Sequence, residues 1–371
     1  MVRRLPKYLL KEGDIVFGRK GSVDRSARIS KAESGWFLGS DGISIRLLDP
    51  SSSHYLSYQF QTTRAQDWLL SNATGTTMAS LNQAVLKNLC VPIPKSSEEQ
   101  QAIAEALSDA DALIESLSLL LAKKRQIKQG AMQELLTGKK RLPGFSGEWA
   151  EKSLGELFQF SGGLSASRDQ LSTTGHFYLH YGDIHTSTKN FIDVAAKGSS
   201  VPRLDIPLGK VSTAALLSDG DVVFVDASED DDGVSKHVVV VNPDGVPFIA
   251  GLHTIVAKQR RGELNSLYLR YCFQTQAAKE QFRFYAVGTK VSGISKRNIA
   301  KIALPVPTRA EQSAIAEILV SIEEDIAALD AKLSKARDLK QAMMQELLTG
   351  RIRLVPPASN VDAECSSLFA A

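Results

Sequence analysis

The chain has 371 residues, 43% of them hydrophobic and 23% charged, which is typical of a soluble globular protein of two or three domains and excludes disordered, collagen-like and disulfide-rich classes. A formal net charge of +3 is compatible with a nucleic-acid partner but does not by itself indicate one. Three isolated cysteines (Cys90, Cys272 and Cys365) and apolar runs too short to cross a bilayer predict a cytoplasmic protein with reduced thiols and no membrane partner.

The first predicted element is a globular unit, residues 1–97, with three landmarks. Gly13–Asp14 precede the apolar run 15–17, which is typical of a turn followed by a buried strand. Gly75–Thr76 form a second turn signal, and Pro92 and Pro94 close the unit because proline stops a helix from extending backwards.

Residues 98–138 are predicted to form one long helix, followed by a linker, residues 139–148. Apolar residues recur at alternating spacings of four and three, the pattern of a coiled-coil seam, and Gly138 supplies the stop. One such helix alone is usually a structural or oligomerising coiled coil. The seam positions are Ile103, Leu107, Ala110, Ile114, Leu117 and Leu121.

A second globular unit, residues 149–309, repeats the landmarks of the first. Gly220–Asp221 precede an apolar run, Gly288–Thr289 follow, and Pro305 and Pro307 close the unit. Three β-rich runs, HFYLHYGDIHT, GDVVFVDA and KHVVVVN, and one helix-like stretch, LNSLYLRYCFQTQAAKEQFRFY, predict a mixed α/β unit.

Residues 310–350 predict a second long helix ahead of a C-terminal tail, residues 351–371. The two helices match at a constant offset, since 315 minus 103 and 344 minus 132 both give 212, and the run MQELLTG recurs intact. The fold class is therefore α+β, with two mixed α/β units that are separated and joined by the two long helices. If the two halves of this internal repeat are related by a pseudo-twofold axis, the helices pack as an antiparallel coiled coil. The second seam comprises Ile315, Leu319, Ile322, Ile326, Leu329 and Leu333.

Four motifs recur in this order: the GDIVF and GDVVF turns, the Gly-Thr segments, the EQxAIAExL helix starts and the QELLTG helix ends. With this combination, the chain closely resembles the specificity subunits of type I restriction–modification systems over nearly its whole length. The resemblance implies two target-recognition domains that each read half of a bipartite site in double-stranded DNA. It also implies two modification subunits docked on the helices, and a restriction subunit. S-adenosylmethionine, ATP and Mg are expected only in those partners, with no cofactor or metal in this chain.

Loops at the landmarks are the predicted DNA contacts, with solvated surface charge as the alternative for each basic residue. The second unit has 71 residues from Trp149 to Asp219 before its turn, and only 12 precede Gly13, so we expect the first recognition domain to be shortened at its N-terminus. The candidate DNA-binding residues are Arg19, Lys20, Thr76, Thr289, Lys290, Lys296 and Arg297.

Catalytic patterns are not found in the sequence. Pro243–Asp244 and Lys258 approach a nuclease pattern, but Val256 stands where a metal-binding carboxylate is required. The histidines at 176, 180 and 185 have no further ligand at zinc-like spacing, and the acidic run 229–232 does not fit a calcium loop. The sequence thus predicts a non-catalytic recognition subunit. The alternatives are an orphan DNA-binding protein and, least favoured, a self-contained nuclease or methyltransferase.

Overall fold

The computed structural model describes residues 8–75, 78–194, 196, 201–228, 233–288 and 291–355, which form two compact units. Unit 1 consists of the described parts of Met1–Leu121 and Ala328–Ala371, and unit 2 consists of those of Ala122–Ala327. Each unit thus combines a globular part with portions of both long helices. The sequence instead predicts globular and helical segments as consecutive, separate domains. The ends of the long helices complete the two largest hydrophobic cores of the described residues, and the predicted domain boundaries stay a prediction.

The globular part of unit 1 is a three-stranded antiparallel sheet covered by short helices. The strand order is β2-β1-β3, and Ile15 and Phe17 of the central strand are fully buried. Thr62 and Asn82 cap the second and third helices by accepting backbone N–H groups. The elements are β1 (Ile15–Gly18), β2 (Ser26–Arg28), β3 (Gly42–Ile45), α1 (Ser53–Gln59), α2 (Thr63–Asn72) and α3 (Gln83–Leu86).

The first long helix, α4, spans Ser97–Leu135. Gly138 follows in the left-handed region at φ +70°, which glycine adopts without strain, so the predicted glycine stop is confirmed. The helix ends three residues earlier than the predicted boundary at residue 138 because a turn occupies residues 136–138.

Unit 2 has a five-stranded sheet in the order β5-β14-β10-β12-β8 and a four-stranded sheet in the order β13-β7-β9-β6. Two further pairs, β16 with β4 and β15 with β11, complete its strands. The strands are β4 (Ala150–Ser153), β5 (Phe158–Gly162), β6 (Leu171–Ser172), β7 (His176–Leu179), β8 (Phe191–Asp193), β9 (Arg203–Leu204), β10 (Val222–Val225), β11 (Ala227–Ser228), β12 (His237–Val241), β13 (Phe248–Ala250), β14 (Thr254–Gln259), β15 (Ser292–Gly293) and β16 (Ala303–Val306).

The helices of unit 2 correct two sequence predictions. The run HFYLHYGDIHT is strand only to Leu179, and its second half is a helix because His180 and Asp183 form a reciprocal N-terminal cap. The single helix-like stretch is two helices, separated at a turn where Thr275 starts the second. The helices are α5 (Leu154–Leu157), α6 (Tyr181–Thr186), α7 (Ser266–Cys272), α8 (Gln276–Tyr285) and α9 (Lys296–Ile299).

The second long helix, α10, spans Arg309–Leu347 and is linked to α4 by equivalent contacts in the two units. In unit 1, Lys340 pairs with Asp111 at 2.6 Å, and the Tyr58 hydroxyl donates to the same carboxylate. In unit 2, Lys128 pairs with Glu323 at 2.6 Å, and the Tyr271 hydroxyl donates to it. Within each unit, an early portion of one helix lies against a late portion of the other.

All twelve predicted seam residues of α4 and α10 are buried or half-buried. On α4, Leu121 is 5% exposed, whereas Leu119, two residues earlier, is 66% exposed. Lys124 of α4 pairs with Asp325 of α10 at 2.7 Å.

The Gly-Asp turns before β1 and β10 have the same structure. Gly13 and Gly220 lie at φ +86° and +79°. Asp14 is buried and pairs with Arg46 of the strand end next to β1, and Asp221 likewise pairs with Lys258 of β14. Lys258, part of the rejected nuclease pattern, therefore has a structural partner.

Two buried glutamates at the starts of the long helices anchor the segments that follow the opposite helix ends. In unit 2, Arg141 binds Glu311 through two nitrogens at 2.6 and 2.7 Å. In unit 1, Arg353 binds Glu99 at 3.0 Å, and the N–H groups of Leu354 and Val355 also donate to that carboxylate. We call these contacts the carboxylate clasps. No helix among the described residues is long and apolar enough to span a membrane.

Candidate nucleic-acid interface

In unit 2, the described residues on either side of 289–290 pair as a hairpin against the end of the central strand β10. Val287 and Gly293 exchange backbone hydrogen bonds of 2.8 and 2.9 Å that close the loop between them. The N–H of Ile294 then donates to the carbonyl of Asp226 at 2.8 Å, directly after β10. Val287 and Val291 are 73% and 52% exposed, so the hairpin presents apolar side chains to the surroundings.

Unit 1 has the same hairpin at the end of β1. Thr74 and Ser80 exchange backbone hydrogen bonds of 2.9 and 2.7 Å, and Leu81 donates to the carbonyl of Arg19 at 2.8 Å. Met78 in this loop is 59% exposed. The two hairpins therefore occupy equivalent positions on their own sheets.

Each hairpin requires a glycine at its second position. Gly288 lies at φ +141°, and a β-carbon there would sit 1.9 Å from the carbonyl oxygen of Val291. Gly75 lies at φ +108°, with the corresponding distance to the oxygen of Met78 at 2.4 Å. Both positions exclude a side chain, because such contacts are far shorter than van der Waals distance. The predicted contact residues Thr76, Thr289 and Lys290 lie outside the described residues.

We call the strand end with its neighbouring hairpin the hairpin corner. In unit 1 the corner contains two predicted contact residues, Arg19 and Lys20, both exposed. Lys20 lies 3.9 Å from Asp41, and the backbone N–H of Arg19 donates to the carbonyl of Asp41 at 2.8 Å. An exposed ion pair at that distance is weak and leaves the cations accessible to phosphate or guanine.

The hairpin corner of unit 2 has different side chains on the same backbone. Asp226 occupies the place of Arg19, and its N–H donates to the carbonyl of His253 at 3.2 Å. The His253 ring lies 3.2 Å from the Asp226 carboxylate, and His253 is the one described non-glycine residue with positive φ, at +57°. The sequence analysis missed both residues. Comparing the position after GDVVFV with Arg19 after GDIVFG would have indicated Asp226.

An aromatic cluster lies beside the unit 2 corner. The Tyr181 ring lies 4.3 Å from that of His180 and 5.4 Å from that of His253, with His185 at 6.0 Å. Burial lowers the pKa of His180 and raises that of the Asp183 carboxyl group. His180 accepts the N–H of Gly182, so its role is to cap α6, and no described residues form a group of three metal ligands.

The remaining predicted contacts, Lys296 and Arg297, start α9 directly after the unit 2 hairpin. Both are exposed, and Ser295 caps this helix by accepting the N–H of Asn298. The equivalent start of α3 in unit 1 carries Gln83 and Ala84. Positive charge therefore follows the hairpin in unit 2 but precedes it in unit 1. Such differences in donors and acceptors let similar backbones read different base pairs.

The sequence and the fold are similar to those of known proteins. The family model described as type I restriction modification DNA specificity domain matches residues 2–128 and 146–336. The type I restriction enzyme MjaVIII specificity subunit of Methanocaldococcus jannaschii is 24% identical over 317 residues, 81% of this chain and 70% of that protein. A provisionally named type I restriction enzyme specificity subunit of the same organism, MjaX, is 24% identical over 366 residues, 94% of this chain and 81% of its own length.

Two solved structures share the fold. The S subunit of a type I restriction-modification system from M. genitalium superposes with a TM-score of 0.57 at 17% identity, covering 92% of this chain and 84% of that one. A chain from a structure of type I R-M complex assembly gives 0.54 at 17% identity, covering 93% and 83%. At this identity the likeness concerns the fold alone.

Proposed function

This chain belongs to the type I restriction modification DNA specificity family and is a specificity subunit of a type I restriction–modification system, and on this premise we propose how it acts. Each hairpin corner binds one half of a bipartite, asymmetric site in double-stranded DNA. The chain itself is non-catalytic. It directs adenine methylation by two modification subunits and cleavage by a restriction subunit, and those partners hold S-adenosylmethionine, ATP and Mg.

The observation that carries this proposal is the pair of hairpin corners with matched backbones and unlike side chains. The carbonyl of Arg19 in unit 1 accepts a hydrogen bond from Leu81 after its hairpin, as the carbonyl of Asp226 in unit 2 does from Ile294. A guanidinium donates to guanine, whereas a carboxylate accepts from the amino group of cytosine. Equivalent corners with opposite chemistry support two half-sites that differ in sequence.

The long helices act in this proposal as the spacer between the half-sites, forming one antiparallel coiled coil in a pseudo-twofold chain. Support comes from the buried seam positions and from the equivalent Tyr–carboxylate–Lys contacts at Asp111 in unit 1 and Glu323 in unit 2. A rod of fixed length converts protein geometry into a fixed number of base pairs between half-sites, as dimer separation does for palindromic sites.

The test is co-expression of this chain with a type I modification subunit from the same genome, followed by single-molecule mapping of methylated adenine in host DNA. We expect a stable complex and one bipartite methylated motif. Arg19→Gln is expected to relax or abolish one half of the motif, and Asp226→Asn the other half.

The matched control is Arg64→Gln, an arginine of α2 in unit 1 outside the corner, which should leave the motif unchanged. A complex that methylates a one-sided motif would contradict the reading of one half-site by each unit. No complex at all would leave an orphan DNA-binding protein as the better explanation.

A further inference from the structure

A cavity of about 210 Å³ lies in unit 2 where four segments of the chain meet. The segments are the loop between α6 and β8, the residues that lead into β12, the turn between α7 and α8, and the first half of α8. His237 and Phe273, which contribute to the lining, are buried, so the cavity borders the interior of unit 2.

The lining of this cavity is cationic. Among the described residues it contains no aspartate or glutamate, and it contains three lysines, namely Lys189, Lys236 and Lys279. The amide side chains of Asn190 and Gln274 add neutral hydrogen-bond donors. Ammonium groups and amide N–H groups without a competing carboxylate are the groups that bind phosphate. The lining therefore favours an anion over a cation or an apolar ligand.

The cavity adjoins the hairpin corner of unit 2 through Lys236. The carbonyl of Lys236 accepts the N–H of Val225, the residue before Asp226, at 3.1 Å. Its amino group donates to the carbonyl of His185 at 3.0 Å, and the His185 ring belongs to the aromatic cluster beside the corner. A ligand in the cavity would thus lie next to the side chains that we propose to read bases.

Unit 1 keeps only one of these cations at an equivalent position. The carbonyl of Arg25 accepts the N–H at the end of β1 at 3.2 Å, as the carbonyl of Lys236 does at the end of β10. Lys279 lies four residues after the threonine that caps α8, and the same position after the threonine that caps α2 is Gln66. Lys189 precedes β8, which has no described counterpart in the three-stranded sheet of unit 1. The set of three lysines is therefore specific to unit 2.

We propose that this cavity binds one phosphate group of the DNA backbone beside the half-site that unit 2 reads. This inference rests on the proposed function, because it takes DNA as the ligand of the neighbouring hairpin corner. Lysine binds phosphate as a point charge and obtains no sequence information from it. The cavity accordingly fixes the position of unit 2 on the duplex, whereas the corner distinguishes the bases.

The first test needs no known recognition sequence. The affinity of the full-length chain for duplex DNA, alone and in the complex, is measured at several salt concentrations for the natural chain and for Lys279→Gln. This variant carries the residue that unit 1 has at the equivalent position, Gln66. The slope of log affinity against log salt concentration should become shallower by about 0.9, the change expected for one phosphate contact.

The matched control is Arg261→Gln, which removes one positive charge from an exposed residue of unit 2. Arg261 follows the end of β14, whereas the start of that strand pairs with Val225 at the hairpin corner. The control charge thus lies at the opposite end of β14 from the corner, and its removal should leave the salt slope unchanged.

The second test locates the phosphate. In the half-site assigned to unit 2, one phosphate at a time is replaced by an uncharged methylphosphonate, and affinity is measured by anisotropy. At the bound position the natural chain and Arg261→Gln should lose about tenfold in affinity, the effect of one hydrogen bond to a charged group. Lys279→Gln should lose much less there. Lys189→Gln, which changes an exposed residue outside α8, should behave like Lys279→Gln if both lysines bind the same phosphate.

The outcomes separate this inference from the proposed function. A complex that methylates its bipartite motif, but in which Lys279→Gln and Arg261→Gln give equal salt slopes and equal methylphosphonate effects, would overturn the phosphate site alone. A shallower slope for Lys279→Gln in a chain that reads no motif would support the site and contradict the reading of half-sites.

A titration with inorganic phosphate at constant ionic strength tests the other source of the same chemistry. Suppose that inorganic phosphate raises the melting temperature of the natural chain but not that of Lys279→Gln, and that no methylphosphonate position affects the two chains differently. That result would assign the cavity to a free anion and overturn its assignment to the DNA backbone.

Discussion

At the scale of single residues, His237 is a buried histidine in the core of unit 2. The centre of its ring lies 5.6 Å from that of Phe224 and 4.9 Å from that of Phe273. Burial lowers the pKa of His237 to about 4, although backbone hydrogen bonds at Ser235 and Arg270 act in the opposite direction. The side chain is therefore neutral in the folded protein at neutral pH.

This burial predicts a loss of stability in mild acid. The unfolded chain binds a proton at a pKa near 6.5 and the folded chain only near 4, so the free energy of unfolding falls as the pH drops between these values. The loss should approach roughly 3 kcal/mol at about pH 4. Urea unfolding of the natural chain and of His237→Leu, compared at pH 7.5 and 4.5, checks it.

The comparison at pH 7.5 separates packing from titration, because the histidine is neutral there in both states. We expect the variant to lose less free energy of unfolding than the natural chain on acidification. Parallel losses in the two proteins would show that His237 is not the group responsible.

At the scale of elements, the long helices depend on a narrow buried stripe. Leu121 is 5% exposed and Leu119 is 66% exposed, although both are leucines of α4. Leu121→Ala should lower the free energy of unfolding by about 2–5 kcal/mol, whereas Leu119→Ala should change it by less than about 0.5 kcal/mol. Chemical denaturation of the two variants tests whether the seam or the outer face of α4 is stabilised by packing.

Two glycines of unit 2, one in the hairpin and one outside it, form a matched pair of sites for substitution. Gly288→Ala forces a β-carbon to 1.9 Å from a backbone oxygen, whereas Gly262→Ala, also at positive φ, meets open space. We expect about 1 kcal/mol of backbone strain at Gly262, and at Gly288 the same strain together with displacement of the hairpin. DNA affinity measured by anisotropy should therefore fall for Gly288→Ala and stay unchanged for Gly262→Ala. An equal loss of DNA affinity in both variants would contradict a role for this hairpin in binding.

At the scale of the whole molecule, the proposed spacer makes DNA spacing depend on helix length. Seven residues inserted after Leu121 in α4 and seven after Ala328 in α10 add two turns to each helix while keeping the seam in phase. The added length is about 10.5 Å, and the gap between half-sites should grow by about 3 base pairs. Methylation mapping of the doubly inserted chain gives the new gap directly. An unchanged gap would contradict the role of the helices as a spacer. Insertion into α4 alone makes the two helices unequal in length, so it should prevent assembly.

The sequence predicts the long helices well because their signal is local and repeated. The alternating seam from Ile103 to Leu121 and the stop at Gly138 need no knowledge of distant residues. The landmarks Gly75 and Gly288 were also informative, because each marks a backbone conformation that only glycine tolerates.

The sequence does not predict which side chains share a hairpin corner. Asp226 and His253 are 27 residues apart and meet only because β14 lies beside β10 in the sheet. The helix α6 was missed for another reason. The aromatic residues around Tyr181 favour a strand, but histidine is an unusual capping residue, and the cap formed by His180 overrides that preference.

The carboxylate clasp at Glu99 also sets an order for events during synthesis. Glu99 and Arg353 are 254 residues apart, so at about 5–20 residues per second the ribosome needs roughly 13 to 50 seconds between them. Unit 2 is built from one continuous stretch of chain and is complete before α10 has finished emerging. Unit 1 begins first and closes last, because Leu347 and Leu348 join the core that contains Ile103 and Leu107 only after α10 has been made. The core of unit 1 is therefore incomplete for most of the time that the chain is being synthesised.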